Sequence, residues 1–372
     1  MKVGAALAAA FTLWTFAPAA WAVCPAATEA LKGADLRAVV AAADICVSQT
    51  DDVEAYWLRG RASYALGDLD AAARDLKIVT TRAPSFVEGL VMYANALDDM
   101  DDREAALEIY GRAIALAPTQ ARPFAERSIL HFRAGDYEAA RKDADRAITL
   151  DPNDPQGWRV RGDALRGLKA YAEALRDYDK AIALAPNHAP TFMHRGEAHF
   201  GLRDFKAAIE DYSRALQLAP RYAEAMGYRC EARRQLRDFV GAIADCDAAL
   251  AIDPDRIYVL NERAAALNGL GRTVEALAGY DAVLARDTAN AFARKSRGAI
   301  RYNAGDFAGA AEDYAVVVRL DPADARYQAY HGDALAKLGR AAEAEAAYRA
   351  ALKIEPANTL AAAGLAALKP PR

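Results

Sequence analysis

The sequence predicts an all-α solenoid, a fold in which one helix–turn–helix repeat is stacked many times. Three regularities carry this prediction. Prolines recur every 34 residues, with one break at Thr288: Pro84, Pro118, Pro152, Pro186, Pro220, Pro254, Pro322 and Pro356. Position 20 is alanine, and position 8 is small, in nine repeats that begin at Val53, Val87, Ala121, Pro155, Ala189, Ala223, Ile257, Ala291 and Ala325. A period of about 20–50 residues is typical of a solenoid, in which each repeat packs on its neighbours.

The N-terminus has the features of an export signal. Lys2 precedes an apolar run from Val3 to Phe16, and Ala20-Trp21-Ala22 resembles a cleavage site. We therefore predict a signal peptide over residues 1–22, cleaved after Ala22, in an exported bacterial protein that is periplasmic or secreted. The run is short for a membrane span, so no membrane insertion of the mature chain is expected, although an uncleaved anchor is the alternative.

A degenerate hairpin is predicted over residues 23–52, before the regular repeats. Ala26–Lys32 is a short helix candidate, and Asp35–Val47 a better one, with Leu36, Val39 and Val40 on one face. The segment lies where a repeat is due but lacks the repeat signature. An atypical terminal repeat is expected because it covers an open end of the core.

The nine regular repeats occupy residues 53–358, and each is expected to hold two helices. Gly67-Asp68, Gly135-Asp136 and Gly305-Asp306 lie between the helices, where glycine ends the first helix and aspartate caps the second. The prolines follow the second helix and stop it. Residues 359–372 are predicted to form a C-terminal capping helix and tail.

The repeat resembles the tetratricopeptide repeat (TPR) family. The family pattern, W-x2-L-G-x2-Y, then A-x3-F, then P, is matched in the fourth repeat by Trp158, Gly162, Ala174, Tyr178 and Pro186. The resemblance implies a right-handed superhelix with a concave face lined by the first helices. It also implies a non-enzymatic protein that binds a protein or peptide in this groove.

One departure from the family pattern suggests an ion pair. Position 7 is arginine in seven repeats, where the family has leucine, and position 23 is aspartate in six of them. The predicted structural pairs are Arg59–Asp75, Arg127–Asp143, Arg161–Asp177, Arg195–Asp211, Arg229–Asp245 and Arg297–Asp313. An exposed pair contributes about 0–1 kcal/mol to stability. Arg263, beside Gly279, is predicted to be unpaired. The alternative, a row of anion-binding arginines, is disfavoured because each of the others has its own carboxylate.

The four cysteines are predicted to form two disulfides. Cys230 and Cys246 occupy positions 8 and 24 of the sixth repeat, on the facing sides of its two helices. Cys24 and Cys46 would lie near one end of the degenerate hairpin. An exported chain meets an oxidising compartment, which favours pairing, and buried free thiols are the alternative.

The sequence offers no catalytic, metal or cofactor motif, so the chain is predicted not to be an enzyme. His131 and His199 both occupy position 11, a packing position, and Asp98–Asp102 is interpreted as a solvated turn. The formal net charge of −4 disfavours nucleic acid as a partner.

The resemblance places contacts with a partner at positions 2, 5, 6, 9, 12 and 13 of each repeat. In mid-array, these candidate groove residues are Arg122, Arg133, Asp163, Arg166, His194, Glu197, Phe200, Tyr228, Glu231, Arg234, Glu262, Lys295, Tyr302 and Asn303. The first hypothesis is a scaffold that binds a peptide or helical segment of a cell-envelope partner in the groove. The alternative is a self-associating structural component of an envelope assembly. The sequence leaves the partner, the process and the oligomeric state open.

Overall fold

The prediction of an all-α solenoid is confirmed by a computed structural model that describes residues 24–368. Within that range the chain forms helices and no strand. The predicted leader, Val23 and the tail from residue 369 lie outside the described residues. The chain divides into two compact halves, Met1–Pro186 and Asn187–Arg372, and the described residues of each form consecutive helical hairpins.

The first half contains the degenerate hairpin and four repeats. Its helices are α1 (Pro25–Lys32), α2 (Leu36–Thr50), α3 (Val53–Leu66), α4 (Leu69–Arg82), α5 (Val87–Asp99), α6 (Arg103–Leu116), α7 (Ala121–Arg133), α8 (Tyr137–Leu150), α9 (Pro155–Gly167) and α10 (Tyr171–Leu184). Val39 and Ala43 of α2 are buried against Leu58 and Ala62 of α3, so the hairpin covers the first face of the core.

The second half contains five repeats and a closing helix. Its helices are α11 (Ala189–Gly201), α12 (Phe205–Leu218), α13 (Ala223–Gln235), α14 (Phe239–Ile252), α15 (Ile257–Gly269), α16 (Thr273–Arg286), α17 (Ala291–Asn303), α18 (Phe307–Leu320), α19 (Ala325–Lys337), α20 (Ala341–Ile354) and α21 (Thr359–Ala367). Ala361 of α21 is buried in the same cluster as Tyr348.

Aspartates begin most of the second helices. In the first repeat the Asp68 carboxylate accepts a hydrogen bond from the Ala71 backbone N–H at 3.0 Å, and Asp136 does the same for Ala139. Such a cap satisfies one of the backbone donors that have no partner inside the helix. These caps therefore fix where the second helix starts in the repeats that have them.

The residue before each proline of the series leaves the helical region. Ala83, for example, has φ −123° and ψ 69°. The same conformation occurs at Asp287 (φ −135°, ψ 91°), where the proline is replaced by Thr288. There the Asp287 carboxylate accepts from the Ala289 N–H at 3.1 Å, and Arg294 donates to the Thr288 carbonyl oxygen at 3.1 Å. Hydrogen bonds therefore shape the turn that lacks a proline.

The two helices of a repeat approach closely at positions 8 and 24. A Cβ on Gly162 would lie 2.7 Å from the ring of buried Tyr178, so only glycine fits beneath this ring. In the sixth repeat Cys230 and Cys246 occupy this contact, as a disulfide with a Cα–Cα distance of 5.5 Å. Cys24 and Cys46 are also joined, with a Cα–Cα distance of 5.9 Å.

Replacing Lys169 by glycine is expected to stabilise the protein by up to about 1 kcal/mol. Lys169 is exposed in the turn between α9 and α10 and has φ +62°, a conformation that costs a non-glycine residue about 1–2 kcal/mol. The matched control is Lys180→Gly inside α10, which should destabilise by about 1 kcal/mol. Urea unfolding of both variants measures the difference, and a loss of stability in Lys169→Gly would contradict the expectation.

Candidate functional site

The position-7 arginine of the fourth repeat links two repeats. In the fourth repeat, Arg161 donates from Nε and Nη2 to both oxygens of buried Asp177, at 2.7 and 2.8 Å. Its third nitrogen, Nη1, donates to Asp145 of the preceding repeat at 2.9 Å. The hydrogen bonds to Asp177, followed by those to Asp145, raise the pKa of the guanidinium. The side chain is therefore a connector between the second helices of neighbouring repeats.

The other predicted pairs have the same two-pronged contact with position 23. They are Arg59–Asp75, Arg127–Asp143, Arg195–Asp211, Arg229–Asp245 and Arg297–Asp313. A second partner from the preceding segment is Asp44 for Arg59, Ser213 for Arg229 and Asp281 for Arg297. The position-23 carboxylates are buried, so these pairs are not the exposed type expected from the sequence.

The prediction that Arg263 is unpaired is wrong. Its Nε lies 2.5 Å from Asp247 Oδ1 at position 25 of the preceding repeat. Gly279 removes the carboxylate of its own repeat, but the neighbouring one remains within reach. The signal was present in the sequence, since aspartate also stands at position 25 in Asp145 and Asp281.

The histidine and arginine side chains at position 11 contact the position-23 aspartates and do not pack in an apolar core. His131 Nε2 lies 3.7 Å from Asp143, and His199 Nε2 lies 3.8 Å from Asp211. Arg233 and Arg301 occupy the same position and contact their position-23 aspartates. The histidines therefore lie beside buried carboxylates.

Two candidate groove residues of the first half, Arg122 and Arg133, join α7 to α5 through ion pairs. Arg122 Nη1 lies 2.5 Å from Glu88, and Arg133 contacts both Asp98 and Asp99. Asp98 is mostly buried, and this burial raises the pKa of its carboxyl despite the neighbouring Arg133. The interpretation of this turn as fully solvated is therefore wrong for Asp98, which the following repeat covers.

Asp163 and Arg166 have internal partners. Buried Asp163 accepts hydrogen bonds from Arg159 Nη1 at 2.9 Å and from the Tyr178 hydroxyl at 2.8 Å. The Arg166 guanidinium lies 5.4 Å from the centre of the Phe132 ring. These two residues serve the packing of the array more than an open binding face.

In the second half, aromatic rings connect α13 with α15. Tyr228 packs on Tyr212 and Tyr258, with ring centres 6.0 and 5.8 Å apart. The Tyr258 hydroxyl donates to Glu231, and Arg234 Nε lies 2.5 Å from buried Glu262. Burial raises the pKa of the Glu262 carboxyl, and Arg234 opposes that rise.

Asn261 lies beside Glu262 at position 5 of the seventh repeat and is 7% exposed. Its amide nitrogen donates to Asn290 Oδ1 at 3.2 Å. Its amide oxygen is buried and has no hydrogen-bond partner among residues 24–368. Buried polar atoms rarely lack a partner, so this oxygen is an acceptor suited to a donor from another molecule. Neither Asn261 nor Tyr258 is among the groove residues predicted from the sequence, although they occupy contact positions 5 and 2 of the seventh repeat.

The remaining candidates lie elsewhere on the second half. His194, Glu197 and Phe200 are half-buried on α11, and the Phe200 ring lies 5.1 Å from Phe205. Lys295 Nζ lies 4.5 Å from the centre of the Tyr327 ring.

Tyr302 donates to Asp333, and burial followed by this hydrogen bond raises its pKa to about 12. Asn303 is exposed at the end of α17.

Comparison with known proteins identifies the repeat. A tetratricopeptide repeat model matches residues 125–189, 194–257 and 296–359, and a second matches residues 87–120. The chain belongs to the tetratricopeptide repeat family. No curated protein sequence matches this TPR protein.

Solved structures share the fold of the TPR array at low sequence identity. A tetratricopeptide repeat protein from Parabacteroides merdae is 13% identical, with a TM-score of 0.55, over 65% of this chain and 96% of its own. A chain of the APC/C hetero-tetramer Cut9–Hcn1 is 11% identical, with a TM-score of 0.50, over 93% of this chain and 95% of its own. Both have the same helical repeat architecture.

The described part of the TPR protein contains no group of three or more histidine, cysteine or acidic side chains placed to hold a metal ion. No helix between residues 24 and 368 is both long and apolar enough to cross a membrane. The TPR fold is typical of protein-interaction scaffolds, so the polar faces of the first helices are the surfaces to consider for function.

Proposed function

We propose that this TPR protein is a non-enzymatic scaffold that binds an extended peptide or helical segment of a cell-envelope protein. The site is the exposed side of α13, α15 and α17. The observation that carries the proposal is the buried Asn261 amide oxygen, which has no donor among the described residues. A backbone N–H of a bound segment would supply that donor and remove the cost of about 1–3 kcal/mol of leaving the oxygen unpaired.

The surroundings of Asn261 suit a polypeptide. Half-buried Tyr228 and exposed Tyr258 provide aromatic surface with polar ends. Such residues are enriched where proteins bind one another, because a rigid ring buries much area and loses little entropy. Arg234 and Glu262 neutralise each other, so the site does not select strongly for one sign of charge.

The proposed location is outside the cytoplasm of a bacterium. Residues 1–22 have the composition of a signal peptide, and the two disulfides fit an oxidising compartment. The intact mass of protein that is recovered from the periplasm and kept unreduced would test both the signal-peptide cleavage and the disulfides. It should correspond to a chain that starts at Val23 and lacks the hydrogens of four thiols.

Site-specific photo-crosslinking would test the binding face. A benzoylphenylalanine in place of exposed Asn303, on α17, should capture a defined envelope protein in periplasmic extract. The matched control places the same probe at Val274, which is 81% exposed on α16, a second helix. Equal capture from both sites, or none from Asn303, would contradict the proposed face.

A second variant addresses the amide itself. Asn261→Ala should weaken binding of the captured protein by about tenfold, because the acceptor is lost. Circular dichroism and the urea midpoint would show that the array is still folded. Unchanged affinity in a folded Asn261→Ala protein would remove the observation on which the proposal rests.

A further inference from the structure

The second repeat contains a cavity of about 420 Å³ between α4, α5 and α6. Tyr93, Leu97 and Ile109 contribute an apolar floor, and Lys77 and Arg112 lie at its exposed rim. The volume is within the range of about 300–1,000 Å³ that small-ligand sites occupy. The cavity is lined by the second helices α4 and α6 and by positions 7 and 11 of α5, which are not among the contact positions of the groove.

The same place in other repeats is filled by the arginine network. In the fourth repeat Arg161 at position 7 reaches between Asp145 and Asp177, which are positions 25 and 23 of adjacent repeats. In the second repeat the corresponding residues are Tyr93, Lys77 and Ile109. Position 7 has lost its cation, position 25 has gained one, and position 23 has become apolar. Two aspartates and one arginine are thus replaced by a single lysine, which reverses the sign of the net charge at these three positions, and no side chain of residues 24–368 fills the space between them.

The cations at the rim have no carboxylate partner. Neither Lys77 nor Arg112 forms an ion pair within residues 24–368, whereas the position-7 arginines Arg59, Arg161 and Arg297 each pair with a carboxylate of the preceding segment. The Tyr93 hydroxyl likewise forms no hydrogen bond to the described residues, and burial raises its pKa, so it keeps its proton. An ammonium, a guanidinium and a phenol are thus free to donate to one anion.

Two features limit what can bind. Glu108 also lines the cavity. The net charge of the lining side chains is therefore that of one cation, which favours binding of a singly charged anion over a doubly charged one. The hydroxyls of Thr80 and Thr81 already donate to the Lys77 carbonyl oxygen, at 3.1 and 2.7 Å, and are not available as donors. A singly charged carboxylate attached to an apolar group fits both the rim and the floor.

The ninth repeat shows that loss of the arginine alone does not create this site. Position 7 is His331 and position 23 is Ala347, but position 25 of the preceding repeat is Ala315. No cation there takes the place of Lys77. The cationic rim therefore distinguishes the second repeat from the ninth, the other repeat that lacks both the arginine and the aspartate of the pair.

We infer that this cavity is a binding site for a monocarboxylate with an apolar side group, such as an N-acylated amino acid or the C-terminal residue of a chain. The guanidinium of Arg112 and the ammonium of Lys77 hold the carboxylate, and the Tyr93 hydroxyl donates to it. Leu97 and Ile109 contact the apolar group. This site is independent of the proposed face on α13, α15 and α17.

Titration of the full mature protein with N-acetylphenylalanine, followed by NMR or calorimetry, tests the inference. The acid should bind at concentrations below about 10 mM, and its C-terminal amide at least about tenfold more weakly. A short peptide that ends in phenylalanine distinguishes the two sources of the carboxylate: binding comparable to the acid indicates a chain end, and much weaker binding indicates a free small acid. Equal affinity for acid and amide, or no binding of the acid, would overturn the site.

Variants locate the binding. Lys77→Ala with Arg112→Ala should lower the affinity at least about tenfold, whereas Lys142→Ala, an exposed lysine on α8, should leave it unchanged. Glu108→Gln should tighten binding, because it removes the opposing charge. Tyr93→Arg with Ile109→Asp rebuilds the pair of the other repeats and should abolish binding in a folded protein. Binding that survives the Lys77/Arg112 change would refute the assignment.

Discussion

Replacing Asp313 by alanine is expected to destabilise the second half by about 3–5 kcal/mol, the cost of breaking a buried ion pair from one side. The Asp313 carboxylate is fully buried and contacts three guanidinium groups. Arg297 lies at 2.6 Å, Arg294 at 2.9 Å and Arg301 at 3.0 Å. Removal of the carboxylate leaves three cations close together without their common anion.

The control uses the second partner of the same arginine. Asp281 lies 2.5 Å from Arg297 but is 56% exposed, so Asp281→Ala should cost only about 0–1 kcal/mol. Urea unfolding gives the two free energies, and hydrogen exchange should show the loss of protection concentrated in α17 and α18. Similar costs for the two variants would mean that burial of Asp313 adds nothing to the pair.

Loss of the Cys230–Cys246 disulfide is the second large effect. The bond closes a segment with a sequence separation of 16, and removing such a cross-link costs about 3 kcal/mol. The double variant Cys230→Ala/Cys246→Ala should therefore unfold at lower urea concentration. Adding reductant should also shift the urea midpoint of this variant less than that of the unmodified protein, because the Cys230–Cys246 bond is already absent.

A family-like replacement separates the covalent bond from the packing. Cys230→Gly/Cys246→Tyr recreates the contact between Gly162 and Tyr178 in the fourth repeat, where the ring fills the space over glycine. This variant should recover part of the stability that the alanine pair loses, because it leaves no cavity. If it is no more stable than the alanine pair, the cross-link alone stabilises this contact.

Helix placement could be predicted from the sequence because every repeat is specified locally. Aspartate caps and prolines mark the helix ends within a few residues of the helices they delimit, as at Asp68 and Pro84. A constant period then aligns equivalent residues in all repeats. Even the pairing of position 7 with position 23 follows from this register, since both lie within one hairpin.

Contacts between repeats were harder to foresee. The second carboxylate of Arg161, the partner of Arg263 and the burial of Asp98 each depend on how one hairpin is stacked on the next. The sequence contains the residues, but not the distance between positions 7 and 25 of adjacent repeats. Exposure of a polar turn does not follow from its composition for the same reason, because the neighbouring repeat can cover it.

The sequence by itself therefore determined the all-α solenoid, the repeat register and the identity of the family, because these depend on periodic local signals. Only the tertiary structure decided which polar atoms remain without partners. The Asn261 oxygen and the cations around the cavity of the second repeat are defined by what neighbouring helices fail to supply. Such a deficiency depends on distances in space, because a partner for a buried donor or acceptor can come from any segment that packs against it.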